Sequence, residues 1–411
     1  MGGHVVAIGA SHAGVQFVAA LRELGHDGPI TLIGEEVAWP YQRPPLSKAF
    51  MAGSTAPDNM ALRGPDFFDM SGIVTRLGIA VRAIDRARQQ VVLSDGETVD
   101  YDALLLATGT RPRPWPGGPM PEGVFALRSL GDAACLRTAA EHASGPVVIV
   151  GGGYIGLELA ATLRGKGGHD VTVVEAAPRL LARAASSDLS ALVARRHAEA
   201  GVRLRTDVGV TEIDARDGKV VAVRLNDGSV LPAALVVLGI GVVPNQELAM
   251  EAGLPCENGI IVDRQCQTLD PAIFAAGDCT LHPNRFAGGM IRLECVQNAH
   301  DQARTAAAVL MGQEASYDTV PWFWSDQFGM KLQTAGLVEG SVRSVPRGAP
   351  EGGRGAFYHF GPDGCLKAVE TVNMPAEHML ARKLLAAGVS PPADQIADPG
   401  HDLRGLLSKP L

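Results

Sequence analysis

Four apolar residues in a row, Val5-Val6-Ala7-Ile8, run into a glycine turn and then into a segment rich in Ala and Leu. A second β-branched run follows and closes on Glu35. Continuous apolar runs of this length predict parallel strands covered on both faces, and the segment between them has the apolar period of a helix. Residues 5–35 therefore read as strand, helix, strand. The same order recurs at residues 147–175, where VVIV leads into Gly151-Gly152-Gly153-Tyr154-Ile155-Gly156, an amphipathic helix and a strand ending at Glu175. This internal repeat is the strongest organisational signal in the chain.

Between the repeats, polar and apolar residues alternate from Val81 to Tyr101 around a Ser94-Asp95-Gly96 turn, the pattern of a small antiparallel meander. A buried strand, 103–107, and Thr108-Gly109-Thr110 come next, and then a stretch from Pro112 to Pro121 whose prolines predict a crossing between domains. After the second repeat, Val220–Leu225 with Asn226-Asp227-Gly228 predicts a hairpin, and Leu235–Ile240 a buried strand. The strand ending at Gly277-Asp278 is expected to return to the first domain. From about residue 320 the character changes: Trp322-Phe323-Trp324, several short strands and a helix around residues 376–387 predict a smaller α+β domain.

At 411 residues the chain is too long for one ordinary core. A formal charge of −8 argues against a general nucleic-acid binder but leaves room for a small basic docking patch. The six cysteines form no CxxC and no metal-ligand spacing, the two nearest being Cys256 and Cys266, and they read as free thiols in a reducing cytoplasm. The first residues lack the pattern of a signal peptide. No apolar stretch approaches the roughly 18 residues of a membrane span.

The chemistry lies in the turns. Gly151, Gly153 and Gly156 form a complete GxGxxG that follows a strand and opens a helix. The first glycine makes the turn, the second admits a pyrophosphate and the third lets helix and strand pack closely. The helix N-terminus offers N–H groups and a positive dipole end to phosphate. Glu175 is placed to accept from ribose hydroxyls and to repel a 2′-phosphate, which favours NADH; Arg179 and Arg183, a little farther on, keep NADPH open. The first loop, Gly9-Ala10-Ser11-His12-Ala13-Gly14, has serine at the middle position, and Glu35 ends its second strand. His12 reads as a bystander at a helix start rather than a catalytic base. Two dinucleotide sites call for complementary roles. A nicotinamide gives two electrons as hydride, and a flavin accepts it and releases electrons singly. The fold class is therefore α/β, with two Rossmann-like dinucleotide-binding domains and a C-terminal α+β domain. The boundaries are 1–115 with 241–319 for the FAD domain, 116–240 for the NADH domain and 320–411 for the last.

Tyr41-Gln42-Arg43-Pro44-Pro45-Leu46-Ser47-Lys48, together with both loops, Ala107-Thr108-Gly109, Gly277-Asp278-Cys279, Gln297-Asn298-Ala299 and Pro321–Asp326, resembles the NADH-dependent ferredoxin reductases of oxygenase systems, whose fold is glutathione-reductase-like. The resemblance runs over essentially the whole chain. It implies that tightly bound FAD is lined by Gly9, Ser11, His12, Ala13, Gly14, Glu35, Arg43, Pro44, Lys48, Val81, Ala107, Thr108, Gly109, Arg128, Gly277, Asp278, Glu294, Cys295, Val296 and Trp324. Asp278 would bond the ribityl chain. NADH would be served by Gly151, Gly152, Gly153, Tyr154, Ile155, Gly156, Glu158, Glu175 and Gly241. Lys48 and Glu158 are the implied catalytic pair, the lysine stabilising reduced flavin and the carboxylate holding the lysine. Alternating aromatics are often core, so Trp322 and Trp324 carry two readings, core or docking face. Arg304, Lys331, Arg382 and Lys383 are either a basic rim for an acidic partner or ordinary surface charge.

The implied activity passes electrons from NADH through FAD, one at a time, to a [2Fe–2S] ferredoxin that feeds a cytochrome P450 or Rieske-type oxygenase. A cytoplasmic monomer is expected, with neither nucleic acid nor membrane as partner. A disulfide or peroxide reductase of the same fold needs a redox cysteine just after the first unit, and residues 41–50 contain none. A reductase of rubredoxin or another one-electron carrier stays open, as does a non-catalytic redox-sensing flavoprotein.

Overall fold

The computed structural model describes residues 2–408. The chain forms two compact units. The first comprises Met1–Gln42, Pro57–Arg111 and Val242–Pro321, and the second comprises Arg43–Ala56, Pro112–Gly241 and Trp322–Leu411.

In the first unit, five parallel strands lie in the order 273–275, 103–106, 5–8, 30–34, 73–77. The strand ending before Gly277 does return to the first sheet, in register with Leu104–Leu106. Alternate residues of the central strands serve different cores. Val5, Ala7, Ala103 and Leu105 pack beneath the helices His12–Glu23 and Val296–Leu310. Val6, Ile8, Leu104 and Leu106 join Ile84, Val91 and Leu93 of the antiparallel meander 81–85, 90–93, 98–100. With both faces covered, neither parity has a polar position left, which is why these strands read as unbroken apolar runs. The two helices meet through small residues: Ala299, Ala303, Ala306 and Ala307 form a helical stripe with Ala13 and Ala20 in the same core.

The second unit repeats the design with strands in the order 203–205, 171–174, 147–150, 235–238, 124–126, all parallel. Val147 and Ile149 face one core, while Val148 and Val150 face another that includes Val223 and Leu225 of the antiparallel sheet 210–216, 219–225, 230–232. The helix Leu130–His142 starts in a capping box, with Ser129 and Asp132 each bonding the other's backbone N–H.

Residues 322–327, 330–336, 366–372, 354–360 and 343–349, in that order, form an antiparallel sheet covered by the helix Pro375–Ala386. The sheet is tied to the tail by Arg347, which is only 7% exposed. Its guanidinium lies 3.0 Å from Glu377 and donates to the carbonyls of Ile396, Asp398 and His401 at 3.1, 2.7 and 2.8 Å. Among the described residues no helix is long and apolar enough to cross a membrane.

Arg347→Met leaves the Glu377 carboxylate buried without its cation, a change that costs about 3 kcal/mol. Thermal melting is expected to fall by several degrees, and limited proteolysis should cut first in the tail from residue 393 onward.

Candidate functional site

In the first unit the loop 9–14 is closed by main-chain contacts. Gly9 has φ +114°, and a Cβ there would sit 2.1 Å from the Ala107 carbonyl oxygen, so only glycine lets the turn pass the end of strand 103–106. Ser11 is extended and stands at the N-cap position of the helix that begins at His12. The structure brings Ala13 and Gly277 together, since a Cβ on Gly277 would be 3.3 Å from that of Ala13. Asp278 follows, its carboxylate 3.4 Å from the Thr110 hydroxyl. Val296 begins the helix 296–310 with Cys295 at its cap, and the exposed Glu294 pairs with Arg292 at 2.7 Å. Glu35 is exposed just beyond its strand, and Val81 opens the meander. The His12 ring lies 5.7 Å from that of His300, whose pKa is lowered by burial first and then by Arg304.

Two residues with no sequence signal hold this loop cluster. Asn245 donates from its side-chain amide to the Thr108 carbonyl at 2.8 Å and from its backbone to that of Gly109 at 2.9 Å. Its own carbonyl accepts from the Thr108 hydroxyl at 2.6 Å. Gln302, fully buried, accepts at one oxygen from the Gly277 N–H at 2.8 Å and the Thr280 hydroxyl at 2.9 Å. Both place main chain rather than filling a sequence pattern.

In the second unit, a Cβ on Gly151 would lie 2.2 Å from the Gly239 carbonyl oxygen, and one on Gly156 would lie 2.2 Å from that of Gly151. The fold itself requires these glycines. Gly153 differs, because a Cβ there would meet nothing within 4 Å. That open cradle at a helix N-terminus suits a pyrophosphate, and it explains why a serine is tolerated at the matching position 11. Glu175 is drawn onto the loop, accepting from the backbone N–H groups of Gly152 and Ala177, each at 2.7 Å. Arg179 is committed to the carbonyls of Ala182 and Ala185, both at 2.9 Å, so its guanidinium is not held ready for a 2′-phosphate. Arg183 stays near Gly241, within 3.5 Å of where a Cβ on that glycine would sit. Ile155 is exposed, and Tyr154 packs on Phe323 with ring centroids 4.6 Å apart.

This unit also contains the remaining predicted residues. Arg43 donates to the Arg128 carbonyl at 2.7 Å, and Pro44 starts the short 3-10 turn Pro44–Ser47. The Lys48 ammonium lies 2.7 Å from the Glu158 carboxylate, which is 4% exposed. The half-buried Trp324 has its ring 5.7 Å from that of Trp322, and Arg382 stacks over the latter.

Residues 3–303 match the family model of the pyridine nucleotide-disulphide oxidoreductases. The chain belongs to that family. Residues 322–407 match a second model, the reductase C-terminal domain. Among its relatives in this family is rhodocoxin reductase of Rhodococcus erythropolis, 46% identical over 98% of this chain and 94% of the relative. Rubredoxin-NAD(+) reductase of Pseudomonas putida is 41% identical over 82% and 87%. The crystal structure of a covalent putidaredoxin reductase–putidaredoxin complex superposes with a TM-score of 0.95, covering 99% of this chain and 98% of that one at 39% identity. Among the described residues all six cysteines are free. Burial pushes the thiols of Cys256 and Cys295 up to about 11 and about 12, and those of Cys266 and Cys279 are raised as well, so none of these is a thiolate at neutral pH. This oxidoreductase takes FAD and NADH as cofactors, and the open space at Gly153 suits a dinucleotide pyrophosphate.

Gly153→Ala separates the cradle from the fold. Stability should change by no more than about 1 kcal/mol, whereas NADH affinity should fall at least about tenfold. Calorimetric melting and NADH titration measure the two effects.

Proposed function

We propose that the protein is an NADH-dependent ferredoxin reductase that supplies single electrons to a [2Fe–2S] ferredoxin serving a P450 or Rieske-type oxygenase. The observation that carries this reading is the presence, in one chain, of two strand–glycine-turn–helix units, each on its own parallel sheet and the second open at Gly153, with no low-pKa cysteine among the buried thiols. The net reaction is balanced: NADH and two oxidised ferredoxins give NAD⁺, a proton and two reduced ferredoxins. FAD, when bound, supplies the conversion of a two-electron hydride donor into one-electron delivery. The chain's own residues would bind and orient. Gly153 would leave the pyrophosphate its space and Glu175 would accept from the adenosine ribose, while Gln302, by holding the Gly277 N–H, would set the turn that carries Asp278 for the ribityl chain. Lys48 with Glu158 would provide the charge that favours reduced flavin.

The other assigned residues, the division into three domains, a monomeric state and a cytoplasmic location belong to the same proposal. The separate family model for residues 322–407 supports the third domain, and the unpaired cysteines support the compartment. The commitment of Arg179 to backbone carbonyls supports NADH over NADPH. The rubredoxin reductase relative keeps a rubredoxin as the second reading of the acceptor.

In stopped-flow mixing, NADH should bleach the flavin absorbance with a kcat/KM at least about tenfold above that of NADPH. Cytochrome c reduction should depend on added [2Fe–2S] ferredoxin. A protein that stays yellow with both nucleotides is a redox sensor rather than a reductase, and one that turns over only with rubredoxin has the other acceptor.

A further inference from the structure

Glu158 is held from more sides than an ion pair with Lys48 requires. One carboxylate oxygen, Oε2, accepts from the Lys48 ammonium at 2.7 Å and from the Ser47 hydroxyl at 2.5 Å. The other, Oε1, accepts from the Ser325 hydroxyl at 2.6 Å. Ser325 in turn accepts from the Gln327 side-chain amide at 2.9 Å, and the Gln327 carbonyl oxygen is 2.9 Å from Nε2 of His197. Glu158, Ser325, Gln327 and His197 are all buried, His197 completely.

The direction of this chain is fixed by chemistry. Oε1 of an ionised carboxylate only accepts, so Ser325 must donate to it and has only its lone pairs left for Gln327. Gln327 must therefore turn its NH₂ toward Ser325 and its oxygen toward His197, which makes Nε2 of His197 a donor. The opposite amide orientation would draw the serine hydroxyl toward Gln327 and leave a buried carboxylate oxygen without a donor. Burial keeps the imidazole pKa below its usual range, and Phe328 packs edge-on against the ring at 4.9 Å. Because an amide passes no proton in its ordinary form, the chain orients and does not conduct.

We propose that Ser325, aligned by Gln327 and His197, is a positioning residue that fixes the Glu158 carboxylate and through it the Lys48 ammonium. The first strand of the C-terminal sheet then takes part in flavin reduction through that cation, and is not confined to packing or docking. The inference rests on the reading that Lys48 serves reduced flavin, and its test separates the two. Lys48 position is read by its acylation rate with an amine-reactive ester, followed by mass spectrometry. The role of Lys48 is read by the flavin midpoint potential and the rate of flavin reduction by NADH.

In the holoenzyme, Ser325→Ala should raise Lys48 acylation about three- to tenfold. It should slow flavin reduction by a similar factor and move the midpoint potential in the direction that Lys48→Ala moves it. Ser325→Thr, which keeps the hydroxyl, should restore all three, and Gln327→Ala should give a smaller change of the same sign. In a Lys48→Ala background, Ser325→Ala should slow reduction no further. If Ser325→Ala leaves acylation unchanged, or slows reduction equally with and without Lys48, the positioning role is overturned. If Lys48→Ala leaves potential and rate intact while acylation still responds to Ser325→Ala, the reading of Lys48 fails and the positioning of its side chain stands.

Discussion

Main-chain atoms crowd each other at the first strand–helix turn of each unit, and the rest of that unit is arranged around the crowding. A Cβ on Gly14 would lie 2.0 Å from the Gly9 carbonyl oxygen, and one on Gly156 would lie 2.2 Å from that of Gly151. The helix can start against the strand only because both positions lack a side chain. Its first N–H groups are thereby aimed at the loop, and its apolar face is set down on the sheet. The parallel register on either side follows from the same placement. Val5–Ile8 matches Ile30–Ile33 on one flank and Ala103–Leu106 on the other, and Val147–Val150 is flanked in the same manner.

Short-range pattern made this much legible. Unbroken apolar runs exposed the covered strands, because residues of both parities face cores, as Val147 and Val148 do. The glycine spacing marked the turns because steric exclusion acts within a few residues. Asn245, Gln302 and the His197–Gln327–Ser325 chain left no such mark. Each is a single amide, imidazole or hydroxyl that reaches at least one partner far away in sequence, such as Asn245 on Thr108 and Ser325 on Glu158. No period or spacing encodes a contact of that range, so the residues that brace the site stayed invisible while those that shape its loops stood out. Lys48 and Glu158 were singled out by family resemblance alone.

The serine at position 11 shows how a departure from a motif can be interpreted. The matching Gly153 has open space where a Cβ would point, so the fold does not demand glycine there. Only a ligand's approach would, and a small side chain that can donate to phosphate is compatible with that approach. The first and third glycines of each loop answer to the protein's own carbonyls instead. One six-residue pattern thus records two kinds of constraint, and a substitution within it has a different meaning at each position.

Glu175 already accepts from the N–H groups of Gly152 and Ala177. A carboxylate has about four acceptor sites, so the ribose hydroxyls can be added without displacing either bond. On the proposed assignment, the acceptor and the phosphate loop form one rigid piece before any nucleotide arrives, and little ordering remains to oppose binding. NAD⁺ and NADH have the same adenosine half and would be gripped equally well there. Only the nicotinamide end would then distinguish spent from fresh coenzyme, so accumulated NAD⁺ would compete with its own precursor, and the enzyme's output would follow the ratio of the two rather than the amount of either.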